Sequence, residues 1–176
     1  GTYAESAITN STNGLLITGE SVRGTILQTG NNAVVFTGND CVISGLTIEI
    51  GETGRLDIGN ANSINTKVFN CKITRPTGTA NYPIRVGGSN SSLDSCYIDF
   101  ASTGTAWETI QVTNVGSTII NNYFSMPIWR TSGVIKLGTD TLFSGNTVSV
   151  TGGNTGGVIL YAGTNCRITN NRFLGN

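Results

Sequence analysis

The sequence predicts an all-β chain folded as a right-handed parallel β-helix of about seven rungs. Three observations carry this. An apolar residue recurs about every twenty-five positions, at 17, 43, 68, 93, 119, 143 and 168, with gaps of 26, 25, 25, 26, 24 and 25. Gly, Thr, Asn and Ser supply 85 of 176 residues, while the strong helix formers are scarce. Each repeat contains three short β-branched runs bounded by turn residues, with no helical segment between them.

The anchor runs come first: Leu15–Gly19, Cys41–Gly45, Thr66–Asn70, Ser91–Ser95, Ser117–Asn121, Thr141–Gly145 and Cys166–Asn170. Three residues before each anchor stands Gly14, Asp40, Asn65, Asn90, Gly116, Asp140 or Asn165. These residue types tolerate a left-handed backbone, so a sharp bend is expected at each. Five residues after the anchor a second strand is marked by Val22, Ile48, Ile73, Ile98, Phe124, Val148 and Phe173. A third strand precedes each bend, at Val34–Phe36, Leu56–Ile58, Ile84–Val86, Ile110–Val112, Ile135–Leu137 and Ile159–Tyr161. The turn leading into that third strand varies in length. Rungs ~4.8 Å apart make a rod ~30–35 Å long. The chain is read as one domain, 1–176, or as a piece of a longer rod.

Between the anchor and second strands one column reads Glu20, Leu46, Cys71, Cys96, Asn122, Asn146, Asn171. Its last three members form an asparagine ladder, in which stacked amides bond each other and satisfy the backbone of the bend. Cys71 and Cys96 share this column on consecutive rungs. They are either buried small side chains filling the bend or a rung-to-rung disulfide. Cys41 and Cys166 lie five rungs apart and cannot join within one chain.

Composition narrows function. There is no histidine, which removes Ser-His-Asp and Cys-His chemistry and histidine metal sites. Net charge is zero and charged residues make up 11%, so a nucleic-acid partner is not expected. No apolar run reaches the ~20 residues of a membrane-spanning helix, and neither membrane insertion nor a cofactor or metal is expected. A flat ice-binding array is not expected either, since the outward column Thr47, Lys72, Tyr97, Tyr123, Thr147, Arg172 mixes charges and aromatics with threonine.

The ~25-residue rung, the asparagine ladder and the segments Gly1-Thr2-Tyr3 and Gly14–Ser21 resemble the pectate-lyase-like parallel β-helix superfamily. That group includes pectate lyases, polygalacturonases, phage tailspikes and uncharacterised surface proteins. The resemblance implies that substrate lies along the outer face of the third strands, beside the variable turn. Outward residues there are Val35, Asp57, Arg85, Gln111, Lys136 and Leu160, and the turns carry Tyr82, Trp107, Glu108, Trp129 and Arg130. Tryptophan faces beside polar groups suit sugar rings, so Trp107, Trp129, Tyr82, Asp57, Arg85, Gln111 and Lys136 are the candidate glycan contacts. The same tryptophans could instead cover their own loops, with Asp57–Arg85 a solvated ion pair.

A lyase or hydrolase would need Asp57 and Glu108 to converge, or Arg85 or Lys136 to act as base. The polygalacturonase-type Asn-Thr-Asp and Asp-Asp signatures are absent, and no acidic cluster suited to calcium accompanies the bases. The leading expectation is therefore a non-catalytic, glycan-contacting module at the cell surface, in the extracellular space or on a virion. The alternatives are an enzyme domain of that superfamily and a structural rod of a fibre, spike or sheath, with homo-oligomeric or end-to-end contacts.

Overall fold

The computed structural model describes residues 1–5, 8–30, 34–75, 82–100, 110–126, 135–150 and 160–175. Their twenty-two strands stack into three parallel sheets of eight, seven and seven strands, each strand pairing with those one rung above and below. The chain is a parallel β-solenoid. The anchor sheet holds Leu16–Thr18, Val42–Ser44, Lys67–Phe69, Ser92–Asp94, Thr118–Ile120, Leu142–Ser144 and Arg167–Thr169. The second sheet holds Thr2–Glu5, Ile26–Thr29, Thr47–Glu49, Lys72–Arg75, Tyr97–Phe100, Tyr123–Met126, Thr147–Val150 and Arg172–Gly175. The third holds Ile8–Asn10, Val34–Phe36, Leu56–Ile58, Ile84–Val86, Ile110–Val112, Ile135–Leu137 and Leu160–Ala162.

Strands of three or four residues point only one or two side chains inward, and stacking aligns these into columns. The anchor column Ile43, Val68, Leu93, Ile119 and Phe143 is completely buried, as is the second-sheet column Ile48, Ile73, Ile98, Phe124 and Val148. At the last rung the same positions, Ile168 and Phe173, remain about two-fifths exposed. Burying each such side chain contributes roughly 1.5–3 kcal/mol, so the five middle rungs supply most of the stability.

All seven residues expected at the first bend have positive φ, from 52° at Asn90 and Asp140 to 73° at Gly116. A second left-handed column, Gly45, Asn70, Ser95, Asn121, Gly145 and Asn170, lies immediately before the ladder. The two columns let the chain turn at either end of the anchor strand without a helix.

The ladder itself has a consistent logic. Asn122, Asn146 and Asn171 each donate a side-chain N–H to the anchor carbonyl of the preceding rung: Leu93 at 2.9 Å, Ile119 at 2.9 Å and Phe143 at 2.8 Å. Each also accepts, through Oδ1, the backbone N–H of the preceding ladder residue at 2.9 Å. Amide-to-amide bonds of 3.1 Å link Asn122 to Asn146 and Asn146 to Asn171. Cys71 and Cys96 occupy the same place with less to offer: each thiol lies closest to the carbonyl two residues back, Phe69 at 3.3 Å and Asp94 at 3.2 Å, and the anchor carbonyls of Ile43 and Val68 are farther, at 3.9 and 3.7 Å. The three asparagines thus each cap an anchor carbonyl, whereas the two thiols mainly fill the bend.

Two expectations are corrected in the first rung and at the bend. Val22 does not occupy the second-strand position, because Ser21–Thr25 forms an extra turn closed by Gly24 N–H and Thr25 N–H to the Ser21 carbonyl. Leu27 takes the place, paired in register with Ile48. The disulfide alternative also gives way: all four cysteines are free thiols. The Cys96 thiol is pushed up by its hydrogen bond to Cys71 and by burial, while that same bond draws Cys71 down. Because Cys41, Cys71 and Cys96 are buried and Cys166 is only half-buried, the native protein should show at most one fast thiol with a chromogenic disulfide reagent, against four after denaturation. Three or more fast thiols in the native state would contradict the packing of the bends.

Candidate ligand-binding face

On the outer face of the third sheet the register runs Thr9, Val35, Asp57, Arg85, Gln111, Lys136, Tyr161. Asp57, Arg85, Gln111 and Lys136 fall where the sequence places them. Leu160 does not: it pairs with Ile135 on the inward column, and the outward residue is Tyr161, 62% exposed. The strand runs Leu160–Ala162, one residue later than expected, so the side-chain alternation reverses. Ile159 lies outside the described residues, as do Trp107, Glu108, Trp129 and Arg130.

Asp57 is the electrostatic centre of the face, and it is not solvated. Although it points outward, only 1% of its side chain is accessible. Arg55, just before the strand, folds over it with Nε 2.6 Å from Oδ1 and a second guanidinium nitrogen 2.9 Å from Oδ2. Arg85 on the next rung donates to Oδ2 at 2.8 Å. Both carboxylate oxygens are therefore engaged by cations, one local and one cross-rung. Sequence shows Arg85 beside Asp57 but not Arg55, whose long side chain folds back over Asp57 from just before the strand.

The resulting strip is net cationic: one carboxylate sits between two guanidinium groups, followed by Gln111, Lys136 and Tyr161 at successive rungs. Tyr82 stands at the turn entering the Ile84–Val86 strand, half-buried, with φ 43°. A bulky residue held in this region stores roughly 1–3 kcal/mol of strain, so the turn is fixed against its local preference. Oδ2 of Asp57 accepts from both guanidinium groups, while Oδ1 faces Arg55 Nε as an ion pair only. Among the described residues no group of three His, Cys, Asp or Glu side chains is placed to hold a metal ion. Likewise, among them no helix is long and apolar enough to cross a membrane.

A second chemically varied region lies on the outer face of the second sheet. Tyr97 and Tyr123, in register on adjacent rungs, stack with ring centroids 5.2 Å apart and planes 3° from parallel. Lys72 Nζ lies 5.9 Å from the Tyr97 ring centre on the rung before. The Tyr97 phenol is raised, first by partial desolvation and then by the nearby Asp99 and Tyr123. The signal was visible in sequence as two tyrosines at equivalent positions.

Buried Arg75 was also missed. It occupies an inward position opposite Phe100, and its guanidinium donates to the Glu52 carbonyl, tying down the turn that follows the Thr47–Glu49 strand. Burial draws its pKa down against the opposing pull of the Glu52 charge. Its role is structural.

The fold and its faces define the class of this protein as a three-sheet parallel β-solenoid with a polar outer strip. No family model, curated protein or solved structure matches the chain.

Proposed function

We propose that this chain is a non-catalytic, glycan-contacting module of the pectate-lyase-like type, working outside the cell, at its surface or on a virion. The observation that carries the reading is the outward register of Arg85, Gln111, Lys136 and Tyr161 on one sheet, with Asp57 buried beneath the guanidinium groups that it fixes. Donors, an amide and an exposed aromatic ring recur at the rung spacing of ~4.8 Å, which suits an extended chain of polar rings lying along the rod. Trp107 and Trp129, which the sequence assigns to the same contact, lie outside the described residues.

The carboxylate geometry weighs against the enzymatic alternative, because both oxygens of Asp57 are held by Arg55 and Arg85. With 1% of its side chain accessible, Asp57 is closed to a substrate that an acid or base would have to touch.

Two variants test the reading on an array of immobilised glycans. Gln111→Ala combined with Tyr161→Ala, and Trp107→Ala combined with Trp129→Ala, should each weaken binding by about tenfold or more, since each removes ~1–3 kcal/mol of contact. Unchanged binding by both folded variants would reject this face as the contact surface.

A further inference from the structure

The outer face of the second sheet carries a groove that the third-sheet strip does not share. It is an open trough of about 670 Å³ running from the Val22–Arg23 turn across three strands to Tyr97. Its floor is built from two register columns: Thr47, Lys72 and Tyr97 in one, and Glu49, Thr74 and Asp99 in the other. The turn at its near end is fastened by the Thr47 hydroxyl, which donates to the Val22 carbonyl. The far end is closed by the ring of Tyr97, 42% exposed and backed by the parallel ring of Tyr123 on the next rung.

The chemistry of this lining selects among ligands. Arg23 and Lys72 supply donors, Glu49 and Asp99 supply acceptors, and the two signs balance. No ion pair joins these four groups, and Lys72 faces the Tyr97 ring instead. A phosphate polymer or a polyuronate gains no net attraction from such a site. A protein surface would find few apolar anchors, since Val22, Ile26 and Tyr97 are separated by polar floor. A sugar hydroxyl both donates and accepts, so neighbouring hydroxyls match alternating cations and carboxylates, while the C–H face of a ring packs on an aromatic wall.

We propose that this groove is a second carbohydrate site, taking a neutral hexose-based oligosaccharide with one ring against Tyr97 and its hydroxyls on Lys72, Glu49 and Asp99. The site shares the ligand class of the proposed function, and rests on that reading for the class alone; it uses none of the same residues.

The test is an amide-resolved NMR titration of the ¹⁵N-labelled chain with cellohexaose, maltohexaose, mannohexaose and, as charged control, hexagalacturonate. The proposal predicts that at least one neutral hexasaccharide shifts the amides of Thr47, Lys72, Thr74 and Asp99. It further predicts that Tyr97→Ala weakens that response by about tenfold, Asp99→Asn weakens it several-fold, and Tyr161→Ala leaves it unchanged. Both groove positions point outward, so unaltered spectra elsewhere identify folded variants. Shifts confined to Gln111, Lys136 and Tyr161 would overturn the groove and leave the proposed function standing. Shifts confined to the groove would uphold this inference and reject the third-sheet strip. A groove response stronger with hexagalacturonate than with every neutral sugar, or no response to any of the four, would overturn it.

Discussion

Asn146→Ala is expected to destabilise the protein by about 3–5 kcal/mol, the largest effect of any polar substitution at the bends. Asn146 is completely buried and makes four hydrogen bonds through one side chain. Truncation strands the Ile119 carbonyl and the Asn122 backbone N–H in the interior, and each such orphan costs about 1–3 kcal/mol. It also breaks the amide chain between Asn122 and Asn171, adding the loss of a polarised series. Asn171→Ala, in a half-buried rung at the end of the ladder, should cost only about 1–2 kcal/mol. Asn146→Cys supplies the sharper comparison. Cys71 and Cys96 hold thiols 3.9 and 3.7 Å from the equivalent carbonyls, so cysteine should recover a small part of the donor function and none of the acceptor function. Urea denaturation of the three variants should rank them Asn171→Ala, Asn146→Cys, Asn146→Ala in order of increasing loss. Equal losses for cysteine and alanine would show that the thiols at this column merely fill space.

The second large effect is expected at Asp57. Asp57→Ala leaves Arg55 and Arg85 facing each other without the carboxylate between them, their side chains about one-third exposed. Removing one partner from a fully buried pair costs about 3–5 kcal/mol, and partial solvation of the two guanidinium groups reduces that here to about 2–3 kcal/mol. The same substitution in an Arg55→Ala, Arg85→Ala background should cost less than about 1 kcal/mol, because no stranded cations remain. Thermal or urea unfolding of the four proteins gives the coupling directly. A full-sized loss in the double-arginine background would mean that Asp57 is held by something other than its two cations.

The architecture was legible because each rung repeats one physical solution. The anchor column had to be apolar to be buried, and the bend before it had to be Gly, Asn or Asp to adopt a left-handed backbone. Those two constraints together fixed the register for seven copies. The second left-handed column was harder to see, since Ser95 stands among its glycines and asparagines and is not diagnostic alone. Register failed where a turn changed length or where alternation was ambiguous. Ser21–Thr25 inserts an extra turn, so counting five residues from Ile17 reached Val22 instead of Leu27. Ile159-Leu160-Tyr161 offers three apolar residues in a row, and period-two alternation cannot decide which of them faces out. Only the pairing of Leu160 with Ile135 resolves it.

The candidate site was legible in part for a related reason. A parallel stack converts equal sequence positions into spatial neighbours, so Asp57 beside Arg85 and Tyr97 beside Tyr123 are both legible in the sequence. What the repeat does not encode is how long side chains fold across a strand. Arg55 covering Asp57, and Arg75 turning inward to reach the Glu52 carbonyl, depend on rotamers and local shape. These two arginines turn an apparently solvated acidic residue into a fixed charge and secure a turn from within.

The central claim, contact with glycan without catalysis, is tested most directly by incubating the native chain with polysaccharides that it retains on a glycan array and following their chain length. Saturable retention with no shortening of the polymer, no new reducing ends and no unsaturated products is the predicted result. Absence of retention on every glycan would contradict the binding claim, and steady release of shorter chains would contradict the claim that the face is non-catalytic.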